Sequence, residues 1–155
     1  MYKHIMVPLD GSKLAECVIP EVKRLMRQLK TTVKLSLVRV VPPLRLYEGL
    51  EYSIPKEDRK KIEVGSIRLA EGYLSGMITK FKMPKTKIVA KVLTGSAAQE
   101  LIGFVNSNKV DLVIISTHGR SGIPHWIIGS VAEKIIQSSV APVLVIRPKE
   151  CPPIS

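Results

Sequence analysis

Two short segments of the sequence combine residue types that can hold an anion. Residues 8–12 read Pro-Leu-Asp-Gly-Ser, and residues 116–122 read Ser-Thr-His-Gly-Arg-Ser-Gly, with Gly129 and Ser130 a few positions further on. Glycine allows a backbone N–H group to come close to an anion, and the N–H groups at a helix N-terminus attract negative charge. Because hydroxyl groups and a cation stand beside these glycines, the pattern predicts a phosphate-binding site.

Each of these residues also has an ordinary structural explanation. Gly119 and Gly122 can supply a positive φ in a loop, and Asp10 can form an Asx turn. Gly129 and Ser130 can be no more than the start of a helix. The phosphate interpretation rests on glycines, hydroxyls and a cation following one predicted strand. The residues alone leave nucleotide binding and a purely structural role open.

Motifs of other functional classes are missing or weak. The sequence has no Gly-Lys-Ser/Thr and no G-x-G-x-x-G after its first strand, which disfavours P-loop and dinucleotide-binding proteins. The run from Gly119 to Gly122 matches the GXXG loop of KH domains, but it follows an apolar strand in an alternating chain. His4, His118 and His125 lack metal-ligand spacing. The residues fix no geometry for a catalytic triad, so hydrolase chemistry is unsupported.

Short apolar runs alternate with helical stripes along the chain, a pattern typical of βαβ units and a parallel sheet. Strands are predicted at His4–Leu9, Lys34–Val41, Lys85–Leu93, Asp111–Ile115 and Val143–Ile146. Helices are predicted over residues 14–29, 55–81, 96–106 and 130–139. Five strands and four helices in alternation predict one open doubly wound α/β domain. In such a domain a ligand binds beyond the carboxyl ends of the strands, where the strand order reverses.

Local signals predict how the helices begin and which faces they bury. Pro20 lies inside the first helical stripe and should kink it, whereas Pro55 can open the second helix. Ser96–Gln99 and Ser130–Glu133 have the spacing of capping boxes. The second helix should bury a stripe formed by Ile62, Leu69, Tyr73, Met77 and Phe81.

Length and composition fit a single domain. The chain has 155 residues, of which 45% are hydrophobic and 24% charged. We expect one domain over residues 1–155, with a mobile loop at about 43–55 and a tail at 148–155. Cys17 and Cys151 are too few for a disulfide framework and should be free thiols. With no membrane span or signal peptide, the sequence predicts a soluble cytoplasmic protein without a membrane partner.

The net charge of +11 makes an anionic partner worth considering. Nucleotides, nucleic acids and acidic proteins all qualify. The basic residues are spread over residues 23–34, 56–61 and 80–91, and aromatic residues make up only 5% of the chain. Without aromatic side chains that stack on bases, we expect only weak, salt-sensitive adhesion to nucleic acid and no specific nucleic-acid partner.

Taken together, the segments resemble the universal stress protein family over nearly the whole chain. The matching segments are HIMVPLDGS at residues 4–12, the strand Leu37–Val41, GSAA at 95–98, STHGRSGIPHWIIGSVAEKII at 116–136 and APVLVI at 141–146. The resemblance implies a Rossmann-like parallel sheet of five strands in the order 3-2-1-4-5. It also implies a homodimer that pairs through the last strand, Val143–Ile146.

The resemblance further implies ATP binding through a motif written G-x2-G-x9-G-[S/T]. Gly119 takes the second glycine of this motif, and Gly129 with Ser130 completes it. Ser116 stands where the family has the first glycine, which puts a Cβ where the backbone nears the ligand. The nucleotide-binding residues implied in this way are Pro8, Leu9, Asp10, Val40, Ser116, Thr117, His118, Gly119, Arg120, Gly129, Ser130 and Val131.

Within that set the resemblance implies separate roles. Asp10 lines the nucleoside side of the pocket, and Val40 packs on adenine. Gly129, Ser130 and Val131 offer N–H or hydroxyl groups to the phosphates. We expect position 129 to require glycine because its backbone approaches a phosphate oxygen. A residue that only capped the helix would not need to be glycine.

The function implied is an ATP-binding regulatory module of a stress response, with Mg²⁺ only as part of the nucleotide complex. Such a module acts through conformation or partner contacts instead of rapid turnover. Because no residue is identified as a general base, we expect at most a slow ATPase. The alternative is a nucleotide-free dimeric interaction module of the same fold, in which the loops are structural. Ser116 and the two capping boxes favour this alternative.

Overall fold

The computed structural model describes residues 2–44, 54–117 and 128–147. The strands are β1 (His4–Pro8), β2 (Val33–Val41), β3 (Thr86–Thr94), β4 (Leu112–Ser116) and β5 (Val143–Ile146). The α-helices are α1 (Ile19–Gln28), α2 (Lys56–Phe81), α3 (Ala97–Ser107) and α4 (Ser130–Ser138), and a 3₁₀ turn (Ala15–Val18) precedes α1. Residues 45–53 of the predicted loop, the predicted tail and Cys151 lie outside the described residues.

The five strands are parallel and form one sheet in the order β3-β2-β1-β4-β5, which confirms the predicted fold. The chain runs outward from β1 through β2 to β3 and then crosses back to β4 and β5. The strand order therefore reverses between β1 and β4. β1 and β4 are buried along their whole length, because helices cover both faces, and this explains their uninterrupted apolar sequences.

Helices cover the sheet in two layers. On one face Val22 of α1 and Leu74 of α2 pack in the core with alternate residues of β1 and β2. On the other face Leu101 of α3 and Ile135 of α4 form a second core. With both faces covered, the open parts of the sheet are its two ends and its edges. Among the described helices, none has the length and hydropathy of a membrane-spanning segment.

The first helix begins later than predicted, and Pro20 does not kink it. The predicted stripe starts at Leu14, but Ala15–Val18 form the 3₁₀ turn and α1 begins only at Ile19. Pro20 therefore lies in the first turn of α1. A proline is tolerated there because the N–H groups of a first turn have no partner within the helix.

The second helix begins after Pro55 as predicted, but its buried face differs from the prediction. Its buried residues are Ala70, Leu74, Met77 and Phe81. Ile62 and Leu69 of the predicted stripe are 45% and 76% exposed. From Leu69 to Phe81 the predicted stripe takes three steps of four residues, which rotate it by about 120° around a helix of ~3.6 residues per turn. The buried set alternates steps of four and three and stays on one side.

Neither predicted capping box forms. Ser96 precedes α3 and Gly129 precedes α4, and neither makes a side-chain cap hydrogen bond. At α4 the pattern is displaced by one residue, because Ser130 is already helical and a cap residue needs extended backbone. The Glu133 side chain accepts a hydrogen bond from Gln137 at 3.3 Å instead.

His4 is buried at the amino end of the sheet. Its Nδ1 donates to the carbonyl oxygen of Asn108 at 3.0 Å, so Nε2 accepts from the Ser36 hydroxyl at 2.8 Å. Burial is the main cause that lowers the pKa of His4 below 6.5; the Asn108 bond opposes it and the Lys34 charge adds to it. The imidazole is therefore neutral at pH 7 and joins β1 to β2 and to the end of α3.

Candidate functional site

A cavity of about 290 Å³ opens beyond the carboxyl ends of β1, β2 and β4. Ligands bind at this reversal of strand order in open α/β sheets, and the volume is near the lower end of the ~300–1,000 Å³ range of small-molecule sites. Nine of the twelve predicted site residues line it, namely Pro8, Leu9, Asp10, Val40, Ser116, Thr117, Gly129, Ser130 and Val131. The other three, His118, Gly119 and Arg120, lie outside the described residues.

The rest of the wall is apolar, and sequence patterns do not identify it. Its members are Ala15, Val38, Ala97, Leu101, Ile115 and Ala132. An apolar residue that faces a cavity has the same periodicity as one that faces the core. Val38 is the exception, because its position could have been predicted from that of Val40. The two residues are two positions apart and therefore lie on the same face of β2.

The turn after β1 is held by its own side chains. Asp10 Oδ1 accepts hydrogen bonds from the backbone N–H of Ser12 at 2.9 Å and from its hydroxyl at 2.7 Å. The Ser12 hydroxyl oxygen accepts the N–H of Ala15 at 3.1 Å. The structural interpretation of Asp10 as an Asx turn is therefore correct, and the same carboxylate lines the cavity.

Arg39 packs against this turn from the end of β2. Gly11 has a φ of +89°, and a Cβ there would lie 3.1 Å from a guanidinium nitrogen of Arg39. The guanidinium carbon lies 5.0 Å from the centroid of the Tyr73 ring, and the Tyr73 hydroxyl donates to Glu16 at 3.2 Å. Burial and the Glu16 carboxylate raise the pKa of Tyr73, which keeps this donor protonated. The positive φ favours glycine at position 11, because residues with an L side chain rarely adopt it.

Ser116 lines the cavity, and its hydroxyl group lies on the side of the sheet that Cys17 occupies. Alternate residues of β4 face opposite sides, so Ser116 shares the side of Ile114, which packs under α1 and α2, and not that of Ile115. The thiol of Cys17 in the 3₁₀ turn lies 3.5 Å from the Ser116 hydroxyl oxygen. Cys17 is a free thiol as predicted, and burial raises its pKa, so it acts as a donor to Ser116.

Gly129 is required by close packing against the end of β4. Its N–H donates to the carbonyl oxygen of Thr117 at 2.8 Å, and a Cβ at Gly129 would lie 3.0 Å from that same oxygen. Its φ of −59° is open to any residue, so contact and not conformation selects glycine. This helix start lies against a backbone carbonyl, which gives glycine at position 129 a packing reason beside the expected approach to a phosphate oxygen.

The first turn of α4 supplies backbone donors at the cavity wall. Glu133 is the first residue whose N–H bonds within the helix, to the Gly129 carbonyl at 2.9 Å. The N–H groups of Ser130, Val131 and Ala132 come before it, and within the described part of the chain they make no hydrogen bond. All three residues line the cavity. The positive end of the helix dipole therefore lies at its wall.

Comparison with known sequences points to one family. A model of the universal stress protein family matches residues 1–147. Universal stress protein MJ0531 of Methanocaldococcus jannaschii is 29% identical over 150 residues, which cover 95% of this chain and 83% of that protein. Universal stress protein YxiE of Bacillus subtilis is 24% identical over 157 residues, which cover 95% of this chain and 100% of that protein.

Solved structures share the fold at low sequence identity. The structure of MJ0577 of M. jannaschii has a TM-score of 0.82 at 23% identity and covers 97% of this chain and 99% of that one. A universal stress protein family protein from Arabidopsis thaliana with AMP bound has a TM-score of 0.65 at 15% identity, covering 94% and 91%. The universal stress protein from Archaeoglobus fulgidus in complex with dAMP has a TM-score of 0.64 at 18% identity, covering 94% and 98%.

Proposed function

The chain belongs to the universal stress protein family, and on that premise we propose that it is an ATP-binding regulatory module of a stress response. The observation that carries this proposal is the division of the cavity wall between two surfaces. One consists of apolar side chains of β2, and the other of N–H groups of α4 that make no hydrogen bond within the described residues. An adenine ring needs the first surface, and phosphate needs the second. The output is a change of conformation or of partner contacts instead of rapid turnover.

In this proposal the adenine ring lies against Val38 and Val40, and the phosphates lie at the first turn of α4. The Asp10 carboxylate, held by its Asx turn, accepts a hydrogen bond from a ribose hydroxyl. Ser130 and Val131 donate to phosphate oxygens, and Mg²⁺ enters only with the nucleotide. The AMP and dAMP complexes of two proteins of the same fold support an adenine nucleotide as the ligand.

The direct test is to look for the nucleotide itself. Mass spectrometry of freshly purified, denatured protein should detect an adenine nucleotide. Calorimetric titration of the nucleotide-depleted protein with ATP and Mg²⁺ should then give a saturable heat. If no nucleotide co-purifies and millimolar ATP gives no heat, the proposal fails and the nucleotide-free alternative takes its place.

Ser130→Pro tests the phosphate end of the site. Proline removes the N–H and the hydroxyl at the first position of α4, and Gly129 before it has the φ of −59° and ψ of 145° that a residue before proline prefers. We expect ATP affinity to fall at least about tenfold, or about 1.4 kcal/mol, through lost charge-assisted hydrogen bonds. The melting temperature should stay near that of the wild type.

Lys56→Pro is the matched control for this variant. Lys56 is the first residue of α2, and Pro55 before it has almost the same dihedral angles, φ −54° and ψ 144°. This control should leave ATP affinity unchanged. Wild-type affinity in Ser130→Pro, or an equal loss in both variants, would show that the phosphates do not lie at α4.

The alternative, a nucleotide-free dimeric interaction module, is favoured by the surface beside β5. Ile136, Val140 and Leu144 are 42%, 78% and 40% exposed. β5 is an edge strand, and the outer side of such a strand can pair with another chain. We propose an isologous homodimer through Val143–Ile146, compatible with either function. Of the two sequence features that favour it, Ser116 remains, whereas the support from the capping boxes is lost because neither box forms.

Val145→Lys tests the dimer. A lysine in β5 should shift the protein toward monomer in analytical ultracentrifugation, because pairing two copies would bring the new charges together. The matched control is Val89→Lys in β3, the opposite edge strand, where Lys87 and Lys91 are already exposed. An unchanged dimer in Val145→Lys, or dissociation in both variants, would contradict pairing through β5.

A further inference from the structure

Lysines from four separate parts of the chain gather at the amino end of the sheet. They lie in the segments that enter β1 to β4 and are named here the amino-end lysines: Lys3, Lys30, Lys34, Lys82, Lys85, Lys87 and Lys109. The N–H of Lys34 donates to the carbonyl of Lys3 at 2.8 Å, and the N–H of Val33 donates to that of Lys85 at 3.0 Å. Lys34 is also the direct partner of Lys87 in the β2–β3 ladder. Residues spread along the sequence thus form one surface.

The charge of this surface is not neutralised by neighbouring acids. Within the described residues none of the seven forms an ion pair, and Asp111 is the single acid in their segments. The Asp111 carboxylate accepts the backbone N–H groups of Lys3 at 2.8 Å and of His4 at 3.2 Å. Lys34 and Lys87 stand side by side on neighbouring strands, and like charges in that arrangement destabilise a sheet. An anionic partner would remove this repulsion.

We propose that the amino-end lysines bind the phosphate backbone of a nucleic-acid duplex without reading its sequence. From β3 to β4 they span three strand spacings, about 15 Å, over which a duplex presents roughly nine charges. Within the described residues, the segments that enter β1 to β4 contain no large exposed apolar side chain; Val140, which is 78% exposed, precedes β5 at the same end of the sheet. Protein interfaces need an apolar core and membrane-surface binding needs apolar anchors, whereas nucleic-acid interfaces are polar and basic.

This site is separate from the cavity. The amino-end lysines enter the strands, and the cavity lies where the same strands end. A nucleotide in the cavity and a duplex at the lysines can therefore be bound together. The proposal does not depend on ATP binding, and the two can fail independently.

Fluorescence anisotropy with a labelled duplex of about 30 base pairs tests the proposal between about 50 and 200 mM salt. If about five lysines contact phosphates, the logarithm of the affinity falls with the logarithm of salt with a slope of about −4.5, a loss of roughly 500-fold over this range. The triple variant Lys85→Gln, Lys87→Gln, Lys109→Gln should make the slope shallower by about 2.7 and weaken binding at low salt.

The matched control removes the same charge from exposed lysines elsewhere. The variant Lys13→Gln, Lys56→Gln, Lys60→Gln should keep the wild-type slope, because these residues lie in the turn after β1 and at the start of α2. An equal loss in this control, or no wild-type binding at about 50 mM salt, would overturn the proposal. Tighter binding of poly-glutamate or of phosphatidylserine vesicles than of the duplex would replace nucleic acid by an acidic protein or a membrane.

Discussion

The two ends of the sheet differ in charge although the same strands form both. At the carboxyl end, acids in the first turns of the helices stand beside basic residues such as Lys56 and Lys60; the acids are Glu16, Glu21, Glu57, Asp58, Glu100 and Glu133. At the amino end, the connecting segments contain seven lysines and one acid. Each helix starts near the carboxyl end of a strand, so the helix dipoles favour acids there and cations at the other end. Part of the difference in charge between the two ends therefore follows from the parallel topology.

Helix dipoles do not account for all of it. Lys82 follows α2 directly and is placed to interact with that helix end. Lys34 and Lys87 lie inside β2 and β3, and Lys3 precedes β1, where no helix ends. Because the dipole effect fades within one turn, these lysines need another explanation. The charge distribution therefore has two parts. Helix dipoles favour one part in any such fold, and the remaining lysines suit an anionic partner.

The largest expected effect is on the free energy of unfolding, and it concerns the close packing of Gly129 at the carboxyl end of the sheet. Gly129→Ala places a methyl group 3.0 Å from the Thr117 carbonyl oxygen. The free energy of unfolding should fall by about 1–3 kcal/mol, the usual effect of overpacking. Gly72→Ala in α2 is the control, because a Cβ there has no neighbour within 4 Å, and it should stabilise by up to about 1 kcal/mol. The free energy of unfolding of both variants is measured by urea unfolding. Equal changes in the two variants would contradict the close contact at Gly129.

A smaller effect should distinguish the amino end by its response to pH. Because burial lowers the pKa of His4 in the folded protein, the unfolded chain binds the proton more readily. The contribution of His4 to the free energy of unfolding is fully present above about pH 6.5. It is lost as pH falls below that value, by at most about 1.4 kcal/mol per pH unit. His4→Gln should flatten this part of the curve in urea unfolding. A variant with the wild-type pH dependence would show that another group titrates.

The smallest expected effect concerns the residue that departs from the family motif. Ser116→Gly removes a side chain whose hydroxyl oxygen lies 3.5 Å from the Cys17 thiol, on the opposite side of β4 from Ile115. ATP affinity measured by calorimetry should therefore stay within about threefold of wild type. The melting temperature should fall slightly, because glycine adds backbone freedom to the unfolded chain. A gain in affinity of more than about tenfold would mean that the serine obstructs the nucleotide.

The strands were predictable from periodicity alone, whereas the helix caps were not. β5 runs over Val143–Ile146 as predicted, because a short apolar run between turns is typical of a strand. At α4, a shift of one residue makes Gly129 the cap and places Ser130 inside the helix. Spacing rules cannot detect that shift, because it depends on the Thr117 carbonyl, which the chain brings against Gly129 only after folding.

The candidate site was predictable where its residues are unusual in type. Asp10 and Ser130 stand out as polar residues beside glycines at a strand end and a helix start. Ile115 and Leu101 line the same cavity, but their sequence signal is that of any core residue. The amino-end lysines show the converse, because their juxtaposition arises from the register that pairs Lys34 with Lys87. Composition reveals the charge, and only the strand order reveals its location.

The two edge strands differ in their capacity to pair with a strand of another chain. β3 is nine residues long and carries the exposed Lys87 and Lys91, which oppose the addition of another strand, whereas β5 is four residues long and entirely apolar. If two copies pair through β5, the combined sheet is bounded at each side by a lysine-bearing β3. Polymerisation through the sheet is then disfavoured beyond two copies, because the edges that remain are the two β3 strands, whose lysines oppose the extension of a fibril.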